Sequence, residues 1–177
     1  MSYPSTPIIP YLAPSSSKAL FFSRLGWRQD DDWARELYRE MKYEAVKGRA
    51  RTSQNPDNLN PHARADPNVQ PPYSSNQISE TAMHSEIMNI FVLSQGRVRE
   101  WFERGHYQNG PTQDNWIIRW LLWHVFRYRD NRNRRRSRSG SVMTGSEVDL
   151  DVGGPAVNNN AAGTGSSNTY YDPVRDA

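Results

Sequence analysis

The residues best suited to chemistry form a dense arginine cluster in the last third of this 177-residue chain. Seven arginines fall within residues 127–138: Arg127, Arg129, Arg132, Arg134, Arg135, Arg136 and Arg138. So many guanidinium groups repel one another unless an anion neutralises them, and arginine binds phosphate bidentately. The cluster therefore predicts contact with the phosphate backbone of DNA or RNA. The alternatives are a nuclear-import address and a solvated basic tail that keeps the protein soluble.

Three serines lie in or beside the arginine cluster, namely Ser137, Ser139 and Ser141. Their spacing from the arginines is one that basophilic kinases favour, although serine is also a common linker residue. Each phosphate would add about -1.5 to -2 charges at neutral pH. We therefore expect phosphorylation of these serines to neutralise part of the cluster and to weaken anion binding.

Few other residues offer catalytic or metal-binding chemistry. The chain has no cysteine, which excludes disulfides, thiolate nucleophiles and cysteine zinc sites. No phosphate-cradling glycine loop, dinucleotide fingerprint or Gly-x-Ser-x-Gly motif occurs. We predict a protein that is not an enzyme, with no catalytic residue, metal site or cofactor. Its histidines are scattered, without a second ligand at suitable spacing: His62, His84, His106 and His124.

The net charge of +3 is distributed unevenly. Residues 1–126 carry 14 basic and 13 acidic residues, residues 127–138 carry seven and one, and residues 139–177 carry one and five. All but three of the 22 basic residues are arginine. No secretory signal or membrane-spanning stretch occurs, so we predict an intracellular protein without membrane contact, and the basic cluster points to the nucleus.

An apolar segment at residues 116–126 runs directly into the arginine cluster and must position it. Only Arg119 and His124 interrupt its apolar and aromatic residues, and a helix that is apolar all round is normally buried. We therefore predict a central core helix here. The alternative is that aromatic side chains of this segment and just after it stack on bases or anchor the helix at a membrane surface. These residues are Trp116, Trp120, Trp123 and Tyr128.

Helix start and stop signals divide the rest of the chain. A serine cap precedes a short helix from residue 16, and Asp30, Asp31 and Asp32 open an amphipathic helix that Gly48 is expected to end. Thr112 is expected to cap the central helix. Strand is the rival assignment for residues 87–93 and 116–125, which are rich in β-favouring side chains, but their lengths favour helix.

The predicted fold is all-α: a small bundle of about four or five helices. A mean hydropathy of -0.89 indicates that much of the chain lies outside a packed core. We divide the chain into a flexible arm, two N-terminal helices, a Pro/Asn-rich linker or long loop, a helical core, and a disordered tail that is first basic and then acidic. The corresponding ranges are 1–15, 16–48, 49–78, 79–131 and 132–177.

These observations predict a non-enzymatic nucleic-acid-binding or nuclear regulatory protein that contacts phosphates through the arginine cluster. The alternative is a protein-protein interaction or oligomerisation module, in which apolar helices bind a partner or a second copy and the basic segment is an import or regulatory tail. A third interpretation is part of a viral or mobile-element protein, in which an oligomerising helical body and an RNA-binding tail commonly occur together.

Overall fold

The computed structural model describes residues 4–138, with side chains for all of them except Asn109 and residues 133–138. This part of the chain contains six α-helices and one β-hairpin, so the predicted all-α class is confirmed. The predicted acidic tail lies outside the described residues. The helices are α1 (Lys18–Arg24), α2 (Asp32–Gln54), α3 (Pro61–Ala65), α4 (Glu80–Leu93), α5 (Gly96–Arg104) and α6 (Trp116–Arg138), and the strands are β1 (His106–Asn109) and β2 (Thr112–Asn115).

Helix α6 is the predicted central helix, and its first half lies in the core. Trp116 and Trp120 are fully buried, and the helix packs against α2 and α4. The predicted Thr112 cap is wrong, because Thr112 belongs to β2. Asn115 takes that role: its Oδ1 accepts a hydrogen bond from the backbone N of Ile118 at 3.2 Å. The hairpin therefore delivers the chain directly into the start of α6.

The second half of α6 contradicts the expectation that helix ends near residue 131. The backbone remains helical through Arg138. Arginine is a good helix former, and the sequence has no glycine or proline between residue 116 and Gly140 to interrupt the pattern. The basic segment is thus a continuation of the core helix, and residues 132–138 do not belong to a disordered tail.

Helix α2 also extends further than its sequence pattern indicates. The predicted end at Gly48 is wrong, because the helix continues through Gln54. Gly48 lies where α2 crosses α4, and an added Cβ would be only 2.5 Å from Cδ1 of Ile90. The glycine therefore permits a close helix crossing. At the other end, Asp31 is the N-cap residue, although its side chain makes no capping hydrogen bond.

Residues 55–79 connect α2 to α4 and include most of the predicted Pro/Asn-rich linker or loop at residues 49–78. That prediction is wrong for residues 49–54, which belong to α2. Short 3₁₀ helices occur at Pro56–Asn58 and Ser75–Gln77, on either side of α3. Leu59 and Ile78 are buried and form an isolated antiparallel bridge. Tyr73 is buried too, and its backbone N donates to the carbonyl of Ser53 at 2.8 Å. The bond from Tyr73 joins this connection to α2, and the 3₁₀ helix at Ser75–Gln77 packs against α6.

The N-terminal residues include the predicted arm and the predicted first helix. Ser17 caps α1 as expected, accepting a hydrogen bond from the backbone N of Leu20. The preceding arm has no helix or strand within residues 4–15, and it lies on the body. Ile9 donates from its backbone N to the carbonyl of Arg104 at 3.0 Å and accepts from Nε1 of Trp116 at 2.8 Å. The arm therefore covers the beginning of α6.

Candidate nucleic-acid interface

The predicted phosphate-binding arginines all lie on the second half of α6. At about 1.5 Å per residue, residues 127–138 extend roughly 18 Å along the helix. The structure describes the side chains of Arg127, Arg129 and Arg132. For Arg134, Arg135, Arg136 and Arg138 it describes the helical backbone, which continues the same axis. One continuous helix therefore carries all seven residues away from a core that fixes its first half.

Arg129 differs from Arg127, which is exposed. It is buried, and its guanidinium donates from Nη2 to the carbonyl of Tyr73 and to Oδ1 of Asp130, the latter at 3.1 Å. The carboxylate of Asp130 also accepts from the backbone N and Oγ of Ser75, at 3.1 and 2.9 Å. These bonds fix the 72–77 segment to α6. The prediction that Arg129 contacts phosphate is therefore corrected: its burial and its partners give it a structural role.

Arg127 and Arg132 lie near the aromatic rings that flank them on α6. The guanidinium of Arg127 is 4.9 Å from the ring centroid of Trp123, and that of Arg132 is 5.6 Å from the centroid of Tyr128. Such cation-π contacts orient guanidinium groups while leaving their edges able to donate hydrogen bonds. The ring of Tyr128 is 66% exposed. Arginine and aromatic side chains therefore alternate where the second half of α6 begins.

Arg49 belongs to the same cationic region, although the sequence analysis missed it. It is half-buried on α2, and its Nη1 donates to the carbonyl of Val125 at 3.4 Å. Burial, followed by the charges of Arg129 and Arg132, lowers the pKa of Arg49, and Asp130 opposes this shift. Two cationic side chains and one carboxylate of α6 thus act on Arg49 in addition to its burial. No local pattern marks Arg49, because only the packing of α2 on α6 brings it there.

The remaining candidates of the sequence analysis occupy different positions. Ser137 lies in the last turn of α6, whereas Ser139 and Ser141 are outside the described residues. Trp116 and Trp120 are core residues, so the predicted packing role is confirmed for them. Trp123 is half-buried, and Tyr128 is exposed five residues further along the same helix.

Two of the four histidines, His124 and His106, pack against aromatic rings of the body. Nε2 of His124 is 3.1 Å from the carbonyl oxygen of Ser16, and its ring lies against Trp120. His106 is buried, and its ring stacks on Phe91 with centroids 4.1 Å apart. Burial is the main cause that lowers the pKa of both histidines. Within residues 4–138, no three His, Asp or Glu side chains come together as metal ligands.

Two further findings concern membrane-spanning helices and the comparison with known proteins. In the part of the chain that the structure describes, no helix combines the length and the apolar character needed to cross a membrane. Comparison of the sequence with protein-family models and with curated proteins, and of the fold with solved structures, gave no match. The geometry of α6 and its neighbours is therefore the evidence that bears on function.

Proposed function

We propose that this protein is a non-enzymatic nuclear protein that binds nucleic acid through the arginines on the second half of α6. The observation that carries the proposal is the continuity of α6, in which a buried apolar helix runs without a break into a basic one. The site would comprise six arginines of α6 together with Arg49 of α2, while Arg129 holds the helix in place. The arginines of α6 are Arg127, Arg132, Arg134, Arg135, Arg136 and Arg138.

The fixed backbone favours binding. A helix that is already formed loses little conformational entropy when it binds, so more of the charge attraction contributes to affinity. The charges of Arg129 and Arg132 help to lower the pKa of Arg49. An approaching polyanion would relieve this repulsion by neutralising guanidinium groups of the cluster. The second half of α6 therefore has both the charge and the rigidity that phosphate binding requires.

Phosphate binding by this cluster should depend steeply on salt. If about five phosphates are engaged, the slope of log K against log salt is about -4.5 for duplex DNA, because bound counterions are released.

We propose that phosphorylation of Ser137, Ser139 and Ser141 weakens this binding, since each modification would add about -1.5 to -2 charges next to the arginines. The same segment can also act as the nuclear-import signal.

The test is a fluorescence-anisotropy titration of labelled duplex DNA and single-stranded RNA at several salt concentrations. It compares the full chain with a chain that ends after Arg132, which retains the contacts of Arg129 with Tyr73 and Asp130. We expect steeply salt-dependent binding by the full chain and a large loss on truncation. Failure of the full chain to bind either probe at low salt would contradict the proposal.

A pair of double substitutions controls for net charge. Arg127→Gln with Arg132→Gln removes two positive charges from the proposed site. Arg35→Gln with Arg39→Gln removes two from the exposed part of α2 near its start. The first pair should weaken binding and reduce the salt slope by about two, because each lost phosphate contact lowers it by about one. If the two pairs weakened binding equally, affinity would depend only on the overall charge of the protein, which would contradict a binding site on α6.

Protein-protein contact is the second candidate function, at a different surface. The apolar helix expected to mediate self-association is covered by its own chain, since Trp116, Trp120 and Phe126 are buried. Trp33 remains 49% exposed, with its ring centroid 5.7 Å from that of Trp27 and 6.4 Å from that of Trp101. Sedimentation velocity at several concentrations, with Trp33→Ala as the variant, tests self-association through this cluster. A single concentration-independent species would exclude it.

A further inference from the structure

The exposed side of α6 beyond the core has an asparagine at its centre. Val125, Phe126 and Arg129 are buried and mark the side of the helix that faces the body, whereas Arg127, Tyr128 and Asn131 are exposed. At about 100° per residue, the exposed arc includes six positions within roughly 60° of Asn131. These positions belong to Arg127, Tyr128, Arg134, Arg135 and Arg138, with Asn131 itself in the middle.

The charges on the body side of the helix differ from those on this arc. Asp130 is the single acidic residue among residues 127–138, and its carboxylate accepts from Ser75 and Arg129. About 100° separates the position of Asp130 from that of Asn131. The exposed arc thus combines arginine positions on both flanks, an uncharged amide at the centre, and no carboxylate.

We infer, on the basis of the nucleic-acid binding proposed above, that the ligand is duplex DNA, that α6 enters its major groove, and that Asn131 reads an adenine. The major groove of B-form DNA is about 12 Å wide and admits an α-helix. An asparagine amide can accept from N6 and donate to N7 of adenine, which distinguishes adenine from the other bases. The flanking arginines would contact phosphates on both sides of the groove.

Other nucleic acids fit this arc less well. The major groove of A-form RNA is too deep and narrow for side chains to read its bases. Binding of single strands relies on aromatic rings on which bases stack. Here Trp116 and Trp120 are buried, and Arg127 and Arg132 lie against Trp123 and Tyr128 at 4.9 and 5.6 Å. Trp116 and Trp120 are thus unavailable for base stacking, which leaves Tyr128 as the exposed aromatic residue beside the amide of Asn131 on the arc.

The experiment uses the full chain and a pool of duplex DNA with a randomised central segment. Bound duplexes are selected and sequenced, and the selected duplex is titrated against its two single strands and the duplex RNA of the same sequence, at one salt concentration. We expect an enriched adenine and tighter binding of the DNA duplex than of the other probes. Asn131→Ala should reduce the preference for that adenine over guanine by roughly 5- to 150-fold without changing the salt slope.

Asn133→Ala is the matched control, because it removes the same amide from a position about 200° around the helix from Asn131. It should leave the adenine preference unchanged. Circular dichroism would verify that both variants keep their helix content. The inference is overturned if the DNA duplex binds no better than single strands or duplex RNA, if no adenine is enriched, or if Asn131→Ala keeps the preference. In those cases salt-dependent binding still supports the proposed function, whereas absence of binding to every probe overturns both.

Discussion

The ring of Phe21 lies nearly parallel to the indole of Trp120, with centroids 4.0 Å apart and planes inclined by 17°. Both side chains are fully buried. Nε1 of Trp120 donates to the carbonyl of Ser16 at 3.1 Å, so the polar atom of the indole is satisfied as well. This stack joins α1 to the central helix and places an aromatic pair in the core.

Trp120→Ala should destabilise the protein by about 3–5 kcal/mol, because the substitution leaves a large cavity beside Phe21. Urea unfolding followed by circular dichroism measures the change. Trp33→Ala is the control, since Trp33 is 49% exposed and its loss should cost less. An unchanged unfolding midpoint for Trp120→Ala would refute the buried central helix.

Gly48→Ala should destabilise the protein, although alanine normally stabilises a helix relative to glycine by about 1 kcal/mol. The added Cβ would lie 2.5 Å from Cδ1 of Ile90 and 2.8 Å from Oε1 of Glu86. Overpacking of this kind costs about 1–3 kcal/mol. Ile90→Val removes the nearest methyl group, so the double variant should recover part of the loss in a double-mutant cycle. A gain in stability from Gly48→Ala alone would contradict the close crossing.

The pH dependence of stability should reflect His106, which is buried, and His124, which is half-buried. Burial lowers the pKa of His106 and His124 in the folded protein, so protonation favours the unfolded chain. Stability from these groups is fully present above about pH 6.5, the ordinary histidine pKa, and falls as the pH decreases below it. Urea titrations at about pH 8 and about pH 5.5 would measure the loss. His106→Gln with His124→Gln should flatten the profile, and an equally steep profile would exclude these histidines as its cause.

Arg129 and Arg127 should respond to substitution in opposite ways. Arg129→Ala removes the hydrogen bonds to Tyr73 and Asp130 and should cost about 1.5–3 kcal/mol of stability. At a temperature where the variant is folded, its salt slope for DNA binding should equal that of the original chain. Arg127→Ala should leave stability nearly unchanged and reduce the slope by about one. A reduced salt slope for Arg129→Ala would show instead that Arg129 contacts phosphate.

Much of the fold could be predicted from local sequence. The serine cap before the first short helix and the apolar segment at residues 116–126 correctly indicate helices. The predictions fail where a residue type that commonly ends or caps a helix serves another structural role. Gly48 resembles a helix end, but it serves a crossing with Ile90. Thr112 resembles a cap, but the residues before α6 pair as a hairpin instead.

The candidate site could be predicted only in part. The sequence locates the arginine cluster and shows that an apolar segment precedes it, because both properties belong to consecutive residues. It cannot show that Arg49 joins the cluster across 76 positions, at the carbonyl of Val125. Nor can it separate Arg129 from its neighbours, because the carbonyl of Tyr73 lies 56 positions away.

The helical character of the chain and the position of its basic charge could thus be predicted from the residues alone, since helix propensity, apolar periodicity and charge are properties of short segments. Only the folded chain shows that Arg129 is buried whereas Arg127 is exposed, and that the basic segment continues the core helix. The exposure of Asn131 between Arg127 and Arg135 is likewise a property of the fold. Burial depends on contacts between distant residues, so packing divides chemically identical arginines into structural and exposed ones.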